Sequence, residues 1–328
     1  MSKIAIIGSG LAGLTLAHQL QPYADIHLFE KAHRAGGRLA SRTAGPFQFD
    51  HGAQFFTVKT PRFAEFIQPL IKKQVIERWD AHFAEFAGAE KVVERQWNAD
   101  YPHYVGSPDM QAFAQALAAP LDIQFNQQIT HLMQQNGKWC LLHQGTQIAD
   151  DFDWVISCLP ASQTADLLPK EFASHHSIEH TKMLACYALM LGFNDAPALD
   201  WQAALVRDAK ISWMSVNSSK PSRSGEFSMV IQANNIWAEE NLAVEDERIK
   251  QQMLDEVQRV SGLDTGKVSH IDLKRWGFAN IPAQTGQQFY LDNTLKLAAC
   301  GDWCIQGRVE SAFSSAEALG QQLILQLS

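Results

Sequence analysis

Three glycines near the N-terminus, Gly8, Gly10 and Gly13, and one acid, Glu30, are the residues whose spacing implies chemistry most directly. An apolar run from Ile4 to Ile7 enters the turn Gly8-Ser9-Gly10, and the chain leaves it with Leu14, Leu16, Ala17 and Leu20 lining a helix. A second apolar run, Ile26 to Phe29, ends on Glu30. Strand, glycine turn, helix, strand and terminal carboxylate, in that order, make the dinucleotide-binding βαβ unit. Gly8 allows the sharp turn, Gly10 lets bare backbone approach a pyrophosphate, and Gly13 lets the helix pack close to the sheet. The phosphates would lie on the amides of the helix N-terminus, around Leu11 and Ala12, where the helix dipole is positive. Glu30 would take a ribose hydroxyl. Glycines also serve ordinary turns; the order of elements around these three carries the reading. It leaves the identity of the dinucleotide open.

Other segments could work on the same ligand. Lys31 is followed by Gly36-Gly37-Arg38, backbone freedom plus a fixed cation that can grip phosphate, unless this is only a polar surface loop. Asp50-His-Gly-Ala53-Gln54-Phe55-Phe56 is a further glycine turn set among aromatics. Near the C-terminus, Leu295–Ala299 reads as a core strand running into Gly301-Asp302, and a long helix follows from about Val309. No Ser-His-Asp, metal-ligand or cysteine-nucleophile constellation can be read from order and spacing.

Composition bounds what this chemistry serves. The 328 residues allow about two domains, and 46% hydrophobic with 19% charged residues describe an ordinary globular chain. A formal charge of −8 leaves no basic surplus for nucleic acid. No apolar stretch is long enough to span a membrane. Lys3 ahead of an apolar run faintly imitates a signal peptide, but no small-residue cleavage site follows. The five cysteines, Cys140, Cys158, Cys186, Cys300 and Cys304, form neither a disulfide framework nor a zinc spacing. They read as small buried hydrophobes in a reducing compartment, with the cytoplasm expected.

The Gly-Ser-Gly-Leu-Ala-Gly turn, Glu30, the Gly-Gly-Arg-Leu loop and the Asp50-His-Gly-Ala-Gln-Phe run together resemble flavin-dependent amine-oxidase-type proteins, most closely the renalase-like branch. Ala299-Cys-Gly-Asp-Trp-Cys304 and Gly307-Arg-Val-Glu-Ser-Ala312 are similar to that branch's flavin-ribityl motif and closing helix. His51 departs from the methionine or leucine usual there. The resemblance brackets the chain and implies FAD. Gly8, Gly10, Leu11, Ala12, Gly13, Glu30 and Lys31 would hold its adenosine half, with Ile129 meeting the adenine. Gly37 and Arg38 would reach the pyrophosphate, Ala53, Gln54 and Phe55 the flavin, and Gly301 and Asp302 a ribityl hydroxyl. The backbone at Val309 and Glu310 would face the N1–C2=O edge, where a positive helix end stabilises the reduced anion. Lys274 to Tyr290 contains no cysteine, so FAD is expected to be non-covalent.

The implied activity is oxidation of isomeric dihydronicotinamides, 2- or 6-dihydro-NAD(P), to NAD(P)+, with hydride passing to flavin N5 and oxygen reduced to hydrogen peroxide. Such chemistry depends on aligning a ring more than on a strong acid or base. Pocket candidates are Gln54, Phe56, Tyr187, Trp213, Asn217 and Trp276; aromatics of this kind also serve as core. Amine oxidation or desaturation on the same scaffold, and a flavin-binding protein without turnover, remain as alternatives.

These residues require an α/β fold: a Rossmann-type FAD-binding domain, similar to that of p-hydroxybenzoate hydroxylase, with an inserted α+β substrate domain built on an antiparallel sheet. The expected boundaries are 1–60, 105–164 and 286–328 for the FAD domain, and 61–104 with 165–285 for the substrate domain. In the latter, Leu184–Phe193, Ile211–Val216, Phe227–Gln232 and Val268–Trp276 read as strands. A helix carries Ile249, Met253, Val257 and Val260, and Asn217–Gly225 reads as a loop.

Overall fold

A computed structural model describes residues 1–223 and 225–327. The chain divides into two compact units, Met1–Arg38 with Ala114–Met183 and Ile281–Ser328, and Leu39–Phe113 with Leu184–Asn280.

In the first unit, a six-stranded sheet runs in the order Tyr290–Asp292, Leu297–Ala299, Trp154–Ser157, Ser2–Ile7, Ala24–Phe29, Ile123–Gln124. All neighbours are parallel except the first pair. Ile4 to Ile7 and Trp154 to Ser157 are buried throughout. This is why they read as continuous apolar runs rather than alternating ones. Helices Leu11–Leu20 and Val309–Leu327 pack on each other. The first buries Leu14, Leu16, Ala17 and Leu20 completely. Three antiparallel strands, His131–Gln135, Lys138–His143 and Thr146–Phe152, form a separate small sheet turning at Asn136-Gly137.

The second unit is built on a seven-stranded sheet in the order His270–Asn280, Leu184–Phe193, Phe227–Ala233, Ile211–Val216, Ala203–Arg207, His82–Ala87, Glu90–Gln96. It is antiparallel except where Ala203–Arg207 lies parallel to His82–Ala87. Successive side chains of Leu184–Phe193 point to opposite faces. Ala185, Tyr187, Leu189, Leu191 and Phe193 join Ile249, Met253, Val257 and Val260 of helix Asp246–Ser261 in one core. Ala188 and Met190 face the other way, onto Phe47 and Phe49. Burial of each such large side chain contributes about 1.5–3 kcal/mol. Residues 39–60 pack with this second unit because the hairpin Arg42–Ala44 and Phe47–Phe49 closes that second face. Among the described residues no helix is long and apolar enough to cross a membrane.

Candidate functional site

Two arrangements of polar groups stand out among the described residues. The first is the glycine turn of the first unit. Gly8 has φ +102° and donates its amide to the Phe29 carbonyl at 2.8 Å. Gly10 is the extended N-cap of helix Leu11–Leu20 and supplies no side-chain cap to the first-turn amides. A Cβ on Gly13 would lie 2.0 Å from the Gly8 carbonyl oxygen, whereas one on Gly10 would meet nothing within 4 Å. Helix and turn are thus in backbone contact, with room in front of them for a ligand.

Glu30, at the end of the second strand, accepts hydrogen bonds from the amide and hydroxyl of Ser9, both at 2.9 Å, and from the Ala32 amide at 2.9 Å. The Gly36 amide bonds the Ser9 carbonyl at 3.0 Å, so the second glycine loop rests on the first turn. Arg38 donates to Asp302 through both terminal nitrogens, one at 2.7 Å. The Asp302 carboxylate is buried, and the Arg38 side chain is about a third exposed. Gly301 donates its amide to the hydroxyl of Ser315 at 2.9 Å, which ties that turn to helix Val309–Leu327. Leu11, Ala12, Ile129, Gly301 and Glu310 are buried, Val309 is half-buried, and Lys31 and Gly37 are exposed.

A dinucleotide fits this donor set. The helix start is uncapped, a carboxylate stands beside it, a glycine loop abuts it, and a cation–carboxylate pair joins the two ends of the chain. The pairing of Arg38 with Asp302 and the brace that Glu30 makes to Ser9 are features the sequence reading did not contain.

The second arrangement lies in the second unit, where Asp50 anchors a buried polar cluster. One oxygen of Asp50 accepts from the Ser41 hydroxyl at 2.8 Å and the Met110 amide at 2.9 Å. The other accepts from Arg223 at 2.6 Å and Lys220 at 3.1 Å. All three charged side chains are 0–1% exposed. Burial pushes the Asp50 carboxyl up, but Lys220 and Arg223 beside it hold it well below the ordinary carboxylate range. Burial pushes the Lys220 ammonium down to about 8 against the pull of Asp50, helped by the neighbouring Arg223.

Several pocket candidates make contacts within this unit. Asn217 accepts from Lys220 at 3.0 Å and the Asp50 amide at 3.2 Å, and donates to the Gln48 carbonyl at 2.9 Å. Gln54 accepts from Ser215 at 2.8 Å and Lys220 at 3.3 Å, and donates to the carbonyls of Asp50 and Gly52. Tyr187 lies on the helix-covered face with its hydroxyl on the Asn241 carbonyl at 3.0 Å. Phe56 packs on Phe63, Tyr104 and Phe113. The segment Asn217–Gly225, expected as a loop, begins with a short 3-10 turn and contributes buried Asn217 and Lys220; Ser224 lies outside the described residues.

Beside the cluster is a nest of rings that the sequence reading found only in part. Phe55 lies 5.2 Å from Trp97, 5.1 Å from His103 and 5.2 Å from Trp213, between centroids. Trp97 and His103 stack at 3.6 Å. Burial, with Arg95 and Lys59 nearby, pushes His103 down to about 4. His51, stacked on Trp276 at 5.6 Å, is also pushed down to about 4, by burial and by Arg42 and Lys274. Both imidazoles are therefore neutral at pH 7. Among the described residues, the buried indole nitrogens of Trp79, Trp97 and Trp213 have no hydrogen-bond partner, which marks unused donors. Trp276 donates its indole N–H to the His51 carbonyl at 2.8 Å.

Residues 81–324 of the chain match the family of flavin containing amine oxidoreductases, and residues 6–70 match NAD(P)-binding Rossmann-like domains. A solved structure from Exiguobacterium sp. 255-15, assigned as a protoporphyrinogen oxidase, superposes with a TM-score of 0.78 at 11% identity over 99% of each chain. Reduced UDP-galactopyranose mutase superposes with 0.75 at 13% identity, over 99% of this chain and 96% of that one. At such identities the likeness is one of fold. The 1-hydroxycarotenoid 3,4-desaturase of Flavobacterium sp. (strain P99-3) is 42% identical over 59 residues, 18% of this chain and only 12% of that protein.

Proposed function

The chain belongs to the flavin-containing amine oxidoreductase family, and we propose that within it this protein is a renalase-like cytoplasmic oxidase of 2- or 6-dihydro-NAD(P), holding FAD without a covalent link. When bound, FAD supplies two-electron hydride acceptance and reoxidation by oxygen with release of hydrogen peroxide. The chain's own residues bind and orient. The amides after Gly10 and the loop at Gly37-Arg38 would hold the pyrophosphate, Glu30 the adenosine ribose, and Asp302 a ribityl hydroxyl. The positive end of helix Val309–Leu327 favours negative charge near its first turn.

The observation that supports the substrate class is the ring nest at Phe55, Trp97, His103 and Trp213. Conversion of a dihydronicotinamide to NAD(P)+ removes a hydride and no proton, so it requires no general base. Flat aromatic walls, a neutral imidazole and indole donors without partners match a planar ring carrying a carboxamide oxygen. The two buried carboxylates of this unit among the described residues, Asp50 and Glu256, are already taken, the first by Lys220 and Arg223 and the second by Arg259 and the Lys210 amide, so neither stands ready for an ammonium substrate.

Anaerobic rapid mixing tests the reading. The 2- and 6-dihydro isomers should bleach the flavin absorbance rapidly, and primary amines should not. Rapid bleaching by amines alone would make the protein an amine oxidase. No bleaching and no peroxide with either class would leave a flavin-binding protein without turnover.

Attachment has its own test. Burial raises the Cys304 thiol, and the hydrogen bond with Cys158 together with burial raises that of Cys300, so both are poor nucleophiles. Acid precipitation should leave the yellow colour in the supernatant; colour on the pellet would establish a covalent flavin.

A further inference from the structure

We propose that His176, Glu179 and His180 form a surface site for one divalent transition-metal ion, separate from the flavin chemistry. The run His176-Ser177-Ile178-Glu179-His180 has H-x-x-E-H spacing, a metal-ligand pattern that the sequence reading passed over, and helix His175–Glu179 gives it its geometry. Positions three and four apart then share one face. Each residue offers a ligand atom, and these atoms lie within 4.8 Å of one another. The two imidazole rings are 4.1 Å apart between centroids.

Nδ1 of His180 lies 2.8 Å from the His176 carbonyl oxygen. As a donor there it fixes the tautomer and leaves Nε2 basic, which is how ligating histidines are commonly oriented. The segment beneath is anchored. Ile178 is fully buried, His175 bonds the Ala165 carbonyl at 3.0 Å, and Thr181 donates to the Ser177 carbonyl at 2.9 Å.

Donor atoms sharing one tetrahedral ion at bonds of about 2.0–2.2 Å stand roughly 3.4 Å apart. The three side chains therefore close by at most about 1.4 Å, which exposed side chains do by rotation between ordinary rotamers. Two imidazoles and one carboxylate suit zinc, nickel or copper; magnesium and calcium prefer all-oxygen shells. With three protein ligands, a fourth position is left to water.

Titration calorimetry of the chelator-treated flavoprotein with Zn2+ tests this. The wild-type chain should bind one ion, and the unfolding midpoint should rise with zinc. Each of His176→Ala and His180→Ala should weaken binding roughly tenfold or more, Glu179→Gln should weaken it less, and the double histidine variant should give no heat. All four should keep their flavin and their metal-free midpoint, since the substituted side chains are exposed. Mg2+ should give no heat. Absence of zinc binding by the wild type overturns the proposal. So does an unchanged isotherm in the double variant, which would move the ion to other ligands such as the thiols.

Discussion

Gly10→Ala should yield a folded protein that binds its flavin more weakly, whereas Gly13→Val should yield little folded protein at all. The two glycines stand three residues apart and differ in what surrounds them. Gly13 faces the Gly8 carbonyl oxygen, 2.0 Å from where its Cβ would be, with the Cβ of Cys158 at 3.5 Å. Both the oxygen and the helix belong to rigid backbone, so a side chain forces Leu11–Leu20 off the sheet. That disturbs the burial of Leu14, Leu16 and Leu20, all fully enclosed. Overpacking of this kind costs about 1–3 kcal/mol in ordinary cores and more against backbone, a large part of a domain's stability.

Gly10 has φ −71° and open space ahead of it. An alanine there is unstrained, and it loses less chain entropy on folding, worth about 0.4–1 kcal/mol. The apoprotein midpoint should stay level or rise. Its methyl group nevertheless occupies the position through which a pyrophosphate reaches the amides, and flavin affinity should fall roughly tenfold or more, about 1.4 kcal/mol. The ratio of flavin to protein absorbance, read beside the apoprotein midpoint, checks both halves. A yellow Gly10→Ala protein of wild-type affinity would remove the turn from the cofactor site.

Asp50→Asn should destabilise the protein by about 3–5 kcal/mol, because it leaves two buried cations without their carboxylate. Lys220→Met should cost far less. It removes one buried charge, while Asp50 keeps Arg223, Ser41 and the Met110 amide. Urea unfolding of the two variants measures the contrast, and equal losses would contradict it.

The pH dependence has a definite sign. The folded-state carboxyl of Asp50 lies below its ordinary 3.8. Its stabilisation is therefore complete above that value and drains away as pH falls below it. Lys220 titrates near 8 in the fold and 10.5 outside it, so the fold prefers the neutral amine. Stability from this group should rise as pH climbs from about 8 to 10.5, and Lys220→Met should lose that rise. An unchanged alkaline profile in the variant would show that Lys220 is not buried as a cation.

The residues of the ring nest and of the Asp50 cluster were legible only in part. The sequence supplies Trp213, Asn217 and Tyr187 as pocket candidates and Phe55 as a flavin contact, without showing which of them share a face. The alternation of Leu184–Phe193 sorts its side chains into two faces without saying which face the helix covers. Helix Asp246–Ser261 takes the face carrying Tyr187, which leaves the opposite face to Phe47 and Phe49. Trp97 and His103 sit in short segments with little periodicity, and His82–Ala87 joins the sheet by a parallel pairing with a strand more than a hundred residues later.

By itself the sequence determined what depends on neighbouring residues. The turn Gly8–Gly13, the strand ending at Glu30, and the helix faces of Asp246–Ser261 and Val309–Leu327 are set by local backbone geometry and apolar period. Tertiary structure alone decided which polar groups meet. Arg38 finds Asp302 across 264 residues, and Asp50 finds Lys220 across 170 and Arg223 across 173. A charge carries no period and no direction along the chain. Its partner is selected by burial, which makes an unpaired ion too costly and leaves only the arrangement in which each is matched.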